Sequence, residues 1–397
     1  MSKLEQLINE LCPNGVEWKK LNELGTFYGG LTGKSKGDFV NGNAKFATYK
    51  NVYSNPSLDL DIDDFVKIGE TEKQNAIQYN DVLFTGSSET PDECGISSVV
   101  TESVGTPIYL NSFCFGFRPT DNTIFNPHFL KHLFRSSEIR LAISKTASGV
   151  TRYNVSKQRF GQIEIPIPPL PVQEEIVRIL DAFTDYTAEL QAELQARRGQ
   201  YEYYRDKLLS FEDDSSVEWK KLGDVCAILD SRRRPVSKGK RVKGIYPYYG
   251  ANGIQDYVDD YIFNGTYLLV GEDGSVINKD KSPVLNWATG RIWVNNHAHI
   301  LSETDSGANL RYLYYALSVT DVSDVVRGTP PKLNQKNLQN LLIPIPPLPV
   351  QEEIVAILDK FEALVNDLTE GLPAEIAARQ EQYEYYRDKL LSFPKAV

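Results

Sequence analysis

The chain has 397 residues, 41% of them hydrophobic and 24% charged, and a formal net charge of −10, which leaves room for two or more domains with sizeable cores. No apolar run approaches the ~18 residues needed to cross a bilayer, and the opening MSKLEQLINELCP carries acids where a secretory signal needs an apolar core. Cys12, Cys94, Cys114 and Cys226 are far apart with no C-x-x-C pair, which argues against a structural zinc site or a disulfide framework and predicts a cytoplasmic chain with no membrane association.

The charge is unevenly spread. Residues 166–216 hold 5 Lys+Arg against 11 Asp+Glu and residues 344–397 hold 5 against 10, whereas 217–343 hold 16 against 13. Whole-chain acidity therefore does not exclude a polyanion at a locally basic surface.

Residues 1–15 predict a short docking helix with Leu4, Leu7, Ile8 and Leu11 as its apolar positions and Pro13-Asn14-Gly15 as its stop; such a helix is not stable alone. From 16 to about 165, short β-rich runs alternate with turn residues, among them DVLFT at 81–85, ISSVVT at 96–101 and FCFGF at 113–117. Asn126-Pro127 opens a helix and another follows at 139–144. This pattern predicts an α+β domain and no alternating βαβ dinucleotide sheet.

A proline run follows. IPIPPLPVQEEIVRILD spans 165–181 and returns as IPIPPLPVQEEIVAILD at 343–359. Its prolines fix φ and remove donors, so the segment is extended and stiff. Pro171 falls near the first turn of a helix, whose positive end suits Gln173, Glu174 and Glu175. Each copy leads into a helix closing on QYEYYRDKLLSF, at 200–211 and 382–393, and each half opens on VEWKKL, at 16–21 and 217–222.

Along the first helix Ile176, Leu180, Phe183, Tyr186, Leu190, Leu194, Tyr201, Tyr204, Leu208 and Phe211 recur at steps of three, four and seven, the stripe of a helix facing another long helix. The second copy repeats the stripe from Ile354 through Leu358, Phe361, Leu364, Leu368, Leu372, Ile376, Tyr383, Tyr386 and Leu390 to Phe393, interrupted at Gly371-Leu372-Pro373. The expectation is two mixed α/β cassettes joined by two long antiparallel, coiled-coil-like helices around a pseudo-twofold axis, with two separate hairpins as the alternative. TAEL followed by QAEL at 187–194 is a small internal repeat, and one such unit adds about 6 Å of helix.

The second cassette opens with seven basic residues within 232–243, then a turn-rich aromatic segment, YPYYGANG, at 246–253. Strands are expected around 267–270 and 292–294, and a helix with Leu310, Tyr314 and Leu317 precedes RGTPPKLN at 327–334.

Catalytic motifs are near misses only. GGLTGKS at 29–35 has Tyr28 where a phosphate-binding loop requires glycine. The 126–129 and 329–332 segments fall short of the N-P-P-[YF] motif of adenine methyltransferases, and no glycine-rich S-adenosylmethionine loop follows a strand. His128 and His132 stand at i, i+4 without the H-E-x-x-H glutamate, and His297 and His299 have no evident partner ligands in the sequence. Binding is what remains. Basic side chains interleaved with Tyr, Asn and Ser on turns can clamp phosphates and read base edges. The candidate DNA contacts are Thr32, Lys34, Ser35, Lys36, Arg152, Tyr153 and Asn154 in the first cassette. In the second they are Arg232, Arg233, Arg234, Lys238, Lys240, Tyr248, Tyr249, Asn252, Lys332 and Asn334. For the 232–243 run the competing reading is a solvated, mobile loop.

Together the dissimilar cassettes, the two repeated phrases, the TAEL-type repeat and LTEGLPAEI at 368–376 resemble the specificity (S) subunits of type I restriction-modification systems, over essentially the whole chain. The four-residue repeat resembles that of the IC group. YPYYGANGI at 246–254 and WVNNHAHIL at 293–301 resemble words frequent in the family's target-recognition domains. The resemblance implies a docking helix at 1–15, target-recognition domains at 16–165 and 217–343, and a proline hinge with spacer helix at 166–216 and 344–397. Each domain would read one half of a bipartite asymmetric site in the major groove of double-stranded DNA. The helices would set the gap and dock two methyltransferase subunits, with Tyr201, Tyr204, Tyr383 and Tyr386 as partner contacts. Those partners bind S-adenosylmethionine and methylate adenine N6 after base flipping, and two restriction/motor subunits using ATP and Mg²⁺ complete the complex. This chain would then hold no cofactor or metal and catalyse nothing alone. Two alternatives stay open: a coiled-coil adaptor binding proteins or glycans, and the S subunit of a methylation-only or fused restriction-methylation system.

Overall fold

The computed structural model describes residues 2–211, 216–305, 308–367 and 369–396; Leu368 of the predicted stripe lies outside them. The chain divides into two compact units, Met1–Gln191 with Ile376–Val397, and Ala192–Glu375. Among the described residues no helix is long and apolar enough to cross a membrane.

In the first unit Ser2 caps the helix Lys3–Leu11. Its hydroxyl accepts the Glu5 N–H and the Glu5 carboxylate accepts the Ser2 N–H, a capping box. Leu4, Leu7 and Ile8 fold onto a core that also takes Leu391 and Phe393 from the far end of the chain. Val16 binds that end through its main chain, donating to the Pro394 carbonyl and accepting from the Ala396 N–H, both at 2.9 Å. Gly15 permits the approach: its φ is +94° and a Cβ would lie 2.5 Å from the Pro394 oxygen.

The predicted runs of this unit are strands at Val82–Thr85, Ser97–Val99 and Cys114–Pro119, which with Gly25–Gly29 form a four-stranded antiparallel sheet. Two three-stranded sheets flank it, one built from Phe65–Val66, Ala44–Ala47 and Ile108–Leu110, the other from Ala147–Ser148, Tyr153–Val155 and Ser87–Ser88. In the second unit six strands form one mixed sheet, with Phe263–Gly271 and Leu285–Val294 as its long central pair. The predicted aromatic turn at 246–253 is instead a hairpin of Lys243–Gly250 and Gly253–Val258. Pro247, Gly250 and Gly253 give the segment a turn-like composition, but only 251–252 lie between the strands.

The repeated phrases build the same junction in each unit. Glu17–Lys20 pairs antiparallel with Glu164–Ile167, and Glu218–Lys221 pairs with Leu342–Ile345 in the same relative register. Gln173 is fully buried: its amide oxygen accepts the Asn126 N–H (2.8 Å) and its NH₂ donates to the Ile124 and Pro168 carbonyls (2.8 and 2.7 Å). Gln351, also fully buried, accepts from the Asn309 N–H (2.9 Å) and donates to the Pro346 carbonyl (2.8 Å). Asn126 and Asn309 in turn cap the helices Pro127–Leu133 and Leu310–Ser318. The phrase ends on a second anchor: Asp181 accepts from His132 (2.6 Å) and Lys131 (2.7 Å), and Asp359 from Arg311 (2.8 Å) and Tyr315 (2.5 Å). The glutamine that sequence assigns to the helix dipole is thus a clamp, and the junction is fixed at both ends.

The first long helix, Leu170–Leu208, is continuous over 39 residues, roughly 58 Å at 1.5 Å per residue. The second copy is two helices, Leu348–Asn366 and Leu372–Leu390. Pro373 cannot sit in a helix interior without removing a main-chain hydrogen bond, and Asp367 closes a turn by accepting from the Thr369 N–H (2.7 Å). In the first unit Phe183 stacks on Tyr386 (5.3 Å, 21°) and Arg379 lies over Tyr186 (5.3 Å), so the helices run antiparallel. In the second unit Tyr204 stacks on Phe361 (5.6 Å, 23°). The opening of each repeat meets the close of the other.

Candidate nucleic-acid interface

The structure sorts the candidate residues into exposed, cap-forming and interior groups. In the first cassette Lys36 is exposed, whereas the Lys34 side chain is only 8% exposed and its ammonium is held by Glu72 (2.6 Å) and the Lys67 carbonyl (2.5 Å). That pairing, with hydrogen bonds from Gln74 and Gly69, lowers the Glu72 carboxyl to about 2. Ser35 closes a capping box with Asp38, and Thr32 trades main-chain hydrogen bonds with the Gln74 amide. The neighbouring glycines form no phosphate loop. Leu31 donates to the Leu110 carbonyl (2.7 Å), and Gly30 is required because a Cβ would lie 2.0 Å from the Asn111 oxygen.

The turn before the first proline run is better placed. Tyr153 and Asn154 pair with Ser88 and Ser87 through the main chain, and Arg152 and Asn154 are exposed while Tyr153 is half-buried. Arg152 donates through Nε (3.2 Å) and Nη2 (3.0 Å) to the Ser87 hydroxyl and lies 5.3 Å from the Phe113 ring centre. Beside it opens a cavity of about 630 Å³ lined by Tyr49, Lys50, Tyr53, Glu89, Glu93 and Phe113 among others.

In the second cassette the basic run is pinned. The buried Tyr248 hydroxyl accepts the Val236 N–H (3.0 Å) and donates to the Val236 carbonyl (3.2 Å). Arg241 lies 4.1 Å over the Tyr248 ring and pairs with Asp256 (3.2 Å), while Trp293 Nε1 donates to the Arg234 carbonyl (2.6 Å). Arg232, Arg234, Lys238 and Lys240 are exposed on this frame, and Asn252 is exposed at the hairpin turn. Arg233 is turned inward. It pairs with Glu272 and with Asp230 (3.4 Å) and donates to the Ala298 carbonyl (2.9 Å). Tyr248 and Tyr249 are core residues, Asn334 accepts the Asn337 N–H as a helix cap (2.9 Å), and Lys332 reaches Glu272 (3.2 Å). Arg233, Tyr248 and Tyr249 hold the surface in place from within, while Lys332 and Asn334 are exposed beside it.

Asp230, Glu272 and His299 bring three potential metal-ligand atoms within 4.8 Å. His299 stands 69 residues from Asp230, which is why sequence showed it no partner. Its two ring nitrogens already contact the Asp230 carboxylate (2.6 Å) and the Leu333 carbonyl (2.8 Å), and Arg233 and Lys332 occupy the acids. The cluster is a buried ion network.

Of the candidate partner contacts, Tyr383 faces inward, its hydroxyl 2.9 Å from His132 Nδ1, and burial raises it. Burial pushes the Tyr201 hydroxyl up to about 12. Tyr204 and Tyr386 keep an exposed face, and the more exposed Tyr203 and Tyr385 pack edge-on against them (5.3 and 5.2 Å). The sequence stripe missed that second pair because it follows the buried side of the helix.

These features define an internally duplicated α+β protein with two separately built surfaces that carry exposed cations. Over residues 13–197 and 215–378 the chain matches the type I restriction modification DNA specificity domain, and it belongs to that family. It is 44% identical over 194 residues to a candidate type I restriction enzyme specificity subunit of Haemophilus influenzae, covering 48% of this chain and 49% of that one. It is 36% identical over 265 residues to the EcoR124I/EcoR124II specificity subunit of Escherichia coli, covering 59% and 65%. The chain therefore aligns with about half to two thirds of the length of these curated relatives. Its fold is similar to that of a chain solved in work on assembly and conformational transition of the type I R-M system (TM-score 0.61, 18% identity, 96% of this chain and 98% of that one). It is also similar to the type I S subunit from M. genitalium (TM-score 0.56, 14% identity, 95% and 96%).

Proposed function

We propose that this chain is the DNA-reading subunit of a type I restriction-modification complex, each target-recognition domain, 16–165 and 217–343, reading one half of a split site. The family match across both cassettes carries this reading. The support from geometry is a rigid frame in each cassette with exposed cations on it: Lys36 and Arg152 in the first, Arg232, Arg234, Lys238 and Lys240 in the second. Arg233, Lys34, Tyr248 and Tyr249 belong to that frame and act through it.

The chemistry is supplied by partners: two methyltransferase subunits binding S-adenosylmethionine, and two restriction subunits using ATP and Mg²⁺. Exposed Tyr203–Tyr204 and Tyr385–Tyr386 are the surfaces for the former. The repeat at 187–194 supports the IC group as this chain's subclass, with the spacer helices at 166–216 and 344–397 setting the gap. Co-expression with the methyltransferase partner, followed by methylome sequencing, tests this. The expected result is adenine methylation at one bipartite sequence, with a wider gap after one four-residue unit is inserted behind Leu194. A chain that captures no methyltransferase and no duplex DNA would be an adaptor, and the proposal would fall.

A further inference from the structure

We propose that the cavity of the first unit is the base-reading pocket of its half-site, with Arg152 reading a guanine and Phe113 the 5-methyl group of an adjacent thymine. This rests on the DNA-reading function proposed above and names the bases it reads.

Four separate segments build the pocket: the helix Tyr49–Ser54, the 87–93 turn, the 111–113 loop tip and the 151–152 turn. Phe113 is 55% exposed, yet its main chain is fixed on both sides. Its N–H donates to Asn111 Oδ1 (2.9 Å) and its carbonyl accepts from the Gly86 N–H (2.7 Å). An aromatic ring held outward on a rigid tip is a contact surface. Arg152 lies 5.3 Å from its ring centre and is tied through Nε and Nη2 to one hydroxyl, Ser87 Oγ, so this exposed side chain keeps its Nη1–Nη2 edge uncommitted among the described residues. A guanidinium fixed along one edge presents the paired donors that match guanine O6 and N7. The apolar ring beside it suits a thymine methyl.

The acids of the pocket decide between backbone and base. Glu93 is held by Tyr53, Ser88 and Thr90, at 3.0 Å each, and Glu89 lines the same wall. Carboxylates repel a phosphate but accept from the cytosine amino group, so a pocket with two acids beside Lys50 and Arg152 favours the mixed donors and acceptors of base edges over the purely anionic DNA backbone. At the corresponding turn of the second unit Lys332 is instead paired with Glu272.

The test uses the full-length chain with its methyltransferase partner, selecting from randomised duplex DNA. Wild type should select a guanine next to a thymine in one half-site. Arg152→Lys should reduce the guanine preference there by about 5- to 150-fold, the worth of one bidentate contact. The other half-site should stay intact, which also certifies that the variant is folded. Replacing the thymine by deoxyuridine should weaken wild type and leave Phe113→Ala unaffected. An unchanged first half-site in Arg152→Lys, or equal loosening of both, overturns the assignment. Selection of no split site by wild type would instead remove the DNA-reading function itself.

Discussion

The turn before the proline run has the same main-chain support in both units and opposite electrostatics. In the first, Tyr153 and Asn154 pair with Ser88 and Ser87, and Arg152 rests on a neutral hydroxyl. In the second, Lys332 bridges to Asp273, Leu333 donates to the Glu272 carbonyl (2.8 Å), and the Lys332 ammonium meets the Glu272 carboxylate that Arg233 also binds. A neutral support leaves a cation's charge for a ligand; an anionic support offsets it within the protein's own ion pairs. A basic residue on the proposed reading surface is therefore most available to a ligand where its local partner is neutral.

The largest test of that contrast is paired. Arg233→Ala takes the guanidinium from Glu272 and Asp230 in a mostly buried site, leaving them Lys332 and His299 as partners, and should cost the second unit about 3 kcal/mol, whereas Arg152→Ala should cost the first unit less than about 1 kcal/mol. Chemical denaturation of the two variants checks this, and equal costs would break the comparison. Next come the clamps that the units share. Gln173→Ala and Gln351→Ala each leave buried main-chain groups unpaired and should cost about 2–4 kcal/mol apiece. Thermal unfolding followed by limited proteolysis should show the loss in a different unit for each.

Asp181 gives a pH-dependent version. Burial disfavours its charge, but hydrogen bonds from His132 and Lys131 outweigh that and bring the carboxyl from 3.8 to about 2. A depressed carboxyl stabilises the fold above its unfolded value and stops doing so as pH falls through the folded one. The contribution, about 2 kcal/mol, should be complete above pH ~4 and gone by pH ~2. Asp181→Asn should therefore be less stable than wild type at pH 7 and converge with it near pH 2; a constant gap would mean the carboxylate acts by shape alone. The smallest effect on the fold belongs to Lys240→Glu. Exposed on the pinned loop, it should change stability by no more than about 0.5 kcal/mol while weakening DNA binding and flattening its salt dependence.

Much of the architecture is legible in the sequence alone. β-branched and aromatic runs marked the strands at 82–85, 97–99 and 114–119, Asn126-Pro127 marked a capped helix, and Pro373 marked the break in the second long helix. These signals are local: periodicity, caps and missing donors act over a few residues. The hairpin at 243–258 was obscured because glycine and proline dominate its composition. The roles of Gln173 and Arg233 were hidden because the partners that define them, Asn126 and Glu272, lie 47 and 39 residues away.

By itself the sequence determined the internal duplication, the α+β class of each cassette, the helical stripes and the family. Only the tertiary structure decided which cations face solvent. Of the basic residues at 232–243, Arg233 and Arg241 are used inside the protein while Arg232, Arg234, Lys238, Lys240 and Lys243 remain outside. The physical reason is range. Repeats and hydrophobic periods are written along the chain, but whether a charge is available depends on the counter-charge that folding brings to it.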